Sequence, residues 1–220
     1  MKAIHLFIFF LILLPLELIS CESAVNNPEE LTAVTEYVET ETPAQIAAVN
    51  SATDTQEITQ ADIAGLMLMR EEEKMAKDVY TFFFNKFNYR IFNNISKSET
   101  VHSEAVLRVI NYYKLTDPAT NVTGTFTDAH MQELYTKFTS ESKTVEDALK
   151  TGAFIEEYDI TDLKKLIDET DNTYIKRVYT NLKKGSENHL RAFTRMLKFR
   201  GIVYVPVKLP EEEYLAIINK

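Results

Sequence analysis

The stretch DIAGLMLMREEEKMAKDVYTFFFNKF, residues 62–87, sets the architecture. Within it Leu66, Met69, Glu73, Ala76, Tyr80, Phe83 and Phe87 recur at spacings of three and four, the period that stacks residues on one face of an α-helix. The pattern predicts a long helix from Asp62 with this stripe turned inward. A second helix is expected from near Ser98, with Glu99, His102, Val106, Val109 and Tyr113 on one face and a stop at Leu115-Thr116-Asp117-Pro118. A long crossover follows to about Ser142, with turn residues around Gly124 and one short helix from Thr127 or Asp128.

Thr144-Val145-Glu146-Asp147 approximates a capping box, with Asp in the Glu position, and opens a third long helix carrying Leu149, Ala153, Glu156, Ile160, Leu163 and Ile167. A fourth begins after the short turn Thr170-Asp171-Asn172. Its stripe is Ile175, Val178, Leu182, Gly185, His189, Ala192 and Met196, and Gly201 is placed to end it. An extended segment from Ile202 to Val207 and a short helix after Pro210 follow. Strand signals are nearly absent, and neither a Gly-rich phosphate loop nor a nucleophile elbow occurs. The expected fold is all-α: two helical hairpins joined by one long crossover between the second and third long helices.

With hydrophobic residues at 45% of 220, one packed domain is expected, residues 62–220. Acidic residues number 33 against 24 basic, a formal charge of -9, which argues against a surface built for nucleic acid. No Lys or Arg falls between Lys2 and Arg70, so residues 21–61 read as an acidic, flexible spacer. Residues 1–20 carry Lys2, an apolar run from Ile4 to Leu14, and then Leu18-Ile19-Ser20-Cys21, the pattern of an export signal. The run is too short to span a bilayer and is followed by Pro15 and Glu17. Leu-Ile-Ser-Cys resembles the lipobox of bacterial lipoproteins, which implies lipidation of Cys21 and a membrane-anchored place in the cell envelope. An ordinary signal cut nearby, with secretion, is the alternative. Cys21 is the only cysteine, so the chain holds no internal disulfide.

Polar residues interrupt all four apolar stripes: Glu73, Glu99 with His102, Glu156, and His189. Buried carboxylates are costly unless neutralised, and a pair of divalent cations held between facing helices would neutralise them. Glu99 and His102, at i and i+3, can reach one metal cluster. Each has a competing reading. Ser96-Lys97-Ser98-Glu99 also fits a capping box, His189 also fits a hydrogen-bonded core histidine, and Glu71 and Glu72 also fit solvated charges. A register that turns Glu72 inward with Met75 and Val79 is nearly as good as the one for Glu73. Asp78, Asp162 and Arg191 read as ion-pair partners, Phe82-Phe83-Phe84 with Phe87 and Tyr89 as core, and His130 shares no stripe with a carboxylate.

Four blocks carry a family resemblance: REEEKMAKDVY at 70–80, SETVH at 98–102, IEEYDI at 155–160 and GSENHLRAF at 185–193. Together and in this order they resemble the DUF2202 family of ferritin-like proteins, over roughly residues 62–218. The resemblance implies a ferritin-like four-helix bundle around a two-metal centre, with Glu73, Glu99, His102, Glu156 and His189 as ligands. The spacing Glu73-x6-Tyr80 is similar to that superfamily's glutamate-to-tyrosine spacing, which implies that Tyr80 orients a ligand or donates one electron. The sequence departs from the superfamily at Ser186, where a glutamate would precede the last histidine, and Glu157 or Asp159 is the expected replacement. Oxygen and nitrogen donors suit iron, manganese or zinc. The implied function is an exported di-metal oxidoreductase acting on ferrous iron, dioxygen or peroxide. A metal-binding module without turnover, and a surface-anchored bundle that binds a protein partner, are the alternatives. Metal ions and a membrane are the expected partners, and a homo-oligomer is compatible with the fold.

Overall fold

The computed structural model describes residues 57–220, which form six helices and, among the described residues, no strand. Residues 1–20, expected to be an export signal, Cys21 and most of the expected spacer lie outside the described residues. The helices are α1 (Gln60–Phe87), α2 (Arg90–Tyr112), α3 (Ala129–Glu141), α4 (Val145–Glu169), α5 (Thr173–Phe199) and α6 (Glu211–Ile218). None is long and apolar enough to cross a membrane.

Local chemistry explains most of the boundaries. Thr59 caps α1, and its hydroxyl and the Asp62 carboxylate close a reciprocal capping box with both backbone N–H groups at 3.0 Å. Asp62 is therefore the third residue of the helix and not its first. Thr144 and Asp147 form the expected box at α4, and Asp128 and Asn172 cap α3 and α5. At the end of α5, Gly201 (φ 72°) donates to Lys198 O while Ile202 N–H reaches back to Leu197 O, a Schellman stop.

The second helix departs from expectation. It starts at Arg90, a full two turns before Ser98, because Ile91, Phe92 and Ile95 are buried in the core and carry the polar Asn93 and Asn94 with them. Glu99 is thereby placed in mid-helix, and its carboxylate caps nothing.

α1 pairs with α2 and α4 with α5, while α1 faces α4 and α2 faces α5. Thr170 bonds Asp62 and Tyr80 bonds Glu156, so α1 and α4 run antiparallel. Asn172 bonds Tyr113 and His189 bonds Ser98, so α2 and α5 do too. The chain must then travel the length of the bundle between α2 and α4, and the crossover does this with α3 packed on α1 and α4. It is held to α1 by buried charges. Glu71 accepts the N–H groups of Thr127 and Asp128 at 2.8 and 3.0 Å, and Lys74 donates to Val122 O, Thr125 O and Asp78. Glu71 is thus an anchor inside the protein, contrary to its reading as a solvated charge.

The apolar core divides into two clusters. One gathers Tyr80, Phe83, Phe92, Leu149 and Phe193, the other Leu66, Met69, Val106, Leu163 and Leu182. Residues 70–74, 96–104, 156–159 and 183–189 contribute to neither, and this polar belt across the bundle is where the candidate ligands sit.

Candidate metal centre

Each long helix brings its stripe-breaking residue to this belt. Glu73 comes from α1, Glu99 and His102 from α2, Glu156 from α4 and His189 from α5, and all but the half-buried His102 are buried. Ligand atoms of Glu99, His102 and His189 lie within 4.8 Å of one another. Glu99 is the hinge of the group: its Oε2 is 2.8 Å from His102 Nδ1 and its Oε1 is 2.8 Å from His189 Nδ1. Glu73 Oε2 approaches His102 Nδ1 at 3.4 Å, and Glu156 Oε2 approaches His189 Nδ1 at 3.5 Å. The two imidazoles stack with ring centres 5.3 Å apart. The sequence-derived candidates therefore converge on one cluster.

Supporting contacts aim them. Tyr80, fully buried, donates to Glu156 Oε1 at 2.6 Å. Ser98 Oγ holds His189 Nε2 at 3.0 Å, which leaves Nδ1 facing the carboxylates. Gly185 makes room for His102, because a Cβ there would come 2.5 Å from the ring.

Other residues were not resolved by sequence reasoning. Glu72 is 3% exposed, buried as deeply as Glu73, so the two registers are both inward and the solvated reading fails. Of the two proposed replacements for the absent glutamate, Glu157 faces away. It accepts the N–H groups of Val207, Lys208 and Leu209 and the Tyr204 hydroxyl, clamping the C-terminal segment to α4. Asp159 faces the belt, where Ser186 Oγ donates to it. Asp78 pairs with Lys74 as expected, and His130 is exposed against Tyr158.

The electrostatics follow from burial and crowding. Burial raises Glu99, but the charges of His189 and His102 outweigh it and hold this carboxyl far below its usual range. Burial lowers the histidines, yet Glu99 with Glu156 pushes His189 up to about 10, and Glu99 with Glu73 pushes His102 well up. Glu73 is raised to about 7, by burial first, and Glu156, Asp159 and Glu72 are raised by burial and then by neighbouring carboxylates. Three carboxylates thus meet two imidazoles, and Glu72 and Asp159 share a small cavity with those carboxylates. Both oxygens of Glu72, Glu73 Oε1, Glu99 Oε1 and His189 Nδ1 are buried without a hydrogen-bond partner. Glu99 Oε1 and His189 Nδ1 lie 2.8 Å apart and interact through charge, so the same two atoms that pair here are the ones a cation would draw on. The donor set of carboxylate oxygens and imidazole nitrogens fits iron, manganese or zinc.

The sequence pattern described as "Uncharacterized protein domain (DUF2202)" matches residues 62–220, which span the bundle and its tail. The chain belongs to the DUF2202 family. It is 47% identical over 166 residues to the uncharacterized protein MJ0754 of Methanocaldococcus jannaschii, covering 74% of this chain and 90% of that one. The crystal structure of hypothetical protein MJ0754 from Methanococcus jannaschii superposes with a TM-score of 0.75 at 46% identity, over 77% of this chain and 98% of that one. The DUF2202 fold seen here is thus shared with a solved structure.

Proposed function

We propose that this DUF2202 protein holds a pair of divalent metal ions in the belt and uses them in redox chemistry on ferrous iron, dioxygen or peroxide. The observation that carries the reading is the convergence of three buried carboxylates, Glu73, Glu99 and Glu156, on the imidazoles of His102 and His189 within 3.5 Å, with each of the four long helices contributing. Glu73, Glu99, His102, Glu156 and His189 would hold the metals, with Asp159 in place of the glutamate that Ser186 lacks. Two hairpins with one crossover, and ligands in this order, agree with the resemblance to ferritin-like bundles. Bound iron would supply the electrons that dioxygen or peroxide accepts.

The chain's own residues set the conditions. Glu99 lies between the two histidines and can serve both metals. Tyr80 fixes Glu156 and keeps its phenol proton, since burial and then Glu156 push it well above its usual range. The apolar clusters on either side exclude water and strengthen charge interactions between them. The export signal and Cys21 extend the reading to a membrane-anchored protein of the cell envelope. A metal-binding module without turnover is the second reading, favoured by Ser186. Ferrous iron added anaerobically to metal-free protein, followed by air or peroxide, separates them. Oxidant consumption well above that of His102→Ala supports the oxidoreductase, whereas equal consumption with tight iron binding supports the module.

A further inference from the structure

Glu72 sits beside the centre but is not aimed at its histidines. Its carboxylate is buried and receives no N–H or hydroxyl donor; the groups that reach it are acids, Asp159 and Asp162 on α4, the latter within hydrogen-bonding reach, and the adjacent Glu73. One small cavity is lined by Glu72, Tyr158 and Asp159 together with Glu73, Glu99 and Glu156, so the α1/α4 seam and the centre share a space. Tyr158 and Asp162 are half-buried, and His130, exposed, touches the Tyr158 hydroxyl at 3.1 Å. Burial, and then the charges of Glu72, Asp162 and Asp128, push the Tyr158 phenol up to about 12, which marks these carboxylates as neighbours of one ring. Lys208 stands 4.9 Å over that ring, a single cation set against several acids. A buried carboxylate whose polar neighbours are further carboxylates is costly for folding alone, whether they share a proton or repel. Hard oxygen donors in such a group attract a divalent cation.

We propose that Glu72, Asp159 and Asp162 form a cation-binding vestibule on the α1/α4 seam, through which a divalent cation passes into the centre. The proposal rests on the metal-centre reading. Asp159 is the joint between the two, because Ser186 holds it at the belt while it also faces Glu72.

Cobalt(II) added to the metal-free full chain tests this, since its visible absorbance gives a plateau for the centre and a rate for entry. Carboxylate-lined clefts raise cation on-rates by about tenfold or more. Glu72→Gln and Asp162→Asn should each slow uptake by about tenfold while reaching the wild-type plateau. Wild-type rates in both variants would overturn the vestibule and leave the centre standing. A lost plateau in folded Glu72→Gln would overturn it too, by making Glu72 a ligand of the centre. No plateau in the wild type would remove centre and vestibule together. Asp162 is half-buried, so Asp162→Asn disturbs the core less than Glu72→Gln, and its uptake rate decides the matter if Glu72→Gln does not fold.

Discussion

The imidazole of His102 rests on the bare backbone of Gly185, where an added Cβ would come 2.5 Å from both Cε1 and Nε2. Gly185→Ala in a free helix would gain about 0.5–1 kcal/mol. Here the methyl must displace a ring held by Glu99 at 2.8 Å, and overpacking of this kind costs about 1–3 kcal/mol. Urea unfolding should show a net loss of stability, and metal titration a weaker site.

His102→Ala should remove most of the stabilisation that metal confers, which is about 2.7 kcal/mol at one hundred times the dissociation constant. His130→Ala should leave it intact, because His130 is exposed on α3 and outside the cluster. Melting temperature with and without added metal compares the two.

Stability should depend on pH in a direction set by the metal-free cluster. Glu73 is raised to about 7 and His189 to about 10, above their usual 4.5 and 6.5. A raised folded value means that the folded chain binds the proton more tightly, so this stability is present at low pH and is lost as pH rises through those values. Metal competes with the same protons. The metal-dependent rise in melting temperature should therefore grow between pH 6 and pH 9 and shrink below about 6.

Local signals in the sequence were legible because their partners are near in the chain. Thr144 with Asp147, the Asn172 cap and the Gly201 stop each close within a few residues. The start of α2 was hidden, since burial of Ile91, Phe92 and Ile95 against distant helices overrides the polar Asn93 and Asn94. Three consecutive glutamates illustrate the limit best. Glu71 anchors the crossover, Glu72 faces α4 and Glu73 meets His102, and residues far along the chain decide which does what. Glu157 and Asp159 part in the same way, one to the tail and one to the belt.

Glu157→Gln should release the segment around Val207 to Leu209. The glutamine accepts fewer of the backbone N–H groups now bonded to Glu157, and loss of hydrogen bonds to a charged group costs about 1.5–3 kcal/mol. Faster amide exchange confined to residues 202–210, with metal binding unchanged, is the expected result.

Ser186→Glu would restore the Glu-x-x-His spacing before His189, yet Ser186 is buried and already donates to Asp159. A new carboxylate there would crowd Asp159, so metal affinity by titration should fall. A tighter site would show that Asp159 does not replace the missing ligand.

The central claim, that the belt is a metal centre, is tested most directly by the metal content of protein purified without added metal or chelator. Elemental analysis should find about two ions of iron, manganese or zinc per chain, reduced in folded His102→Ala. A wild-type protein carrying none, and showing no change in melting temperature when each metal is supplied, would contradict it.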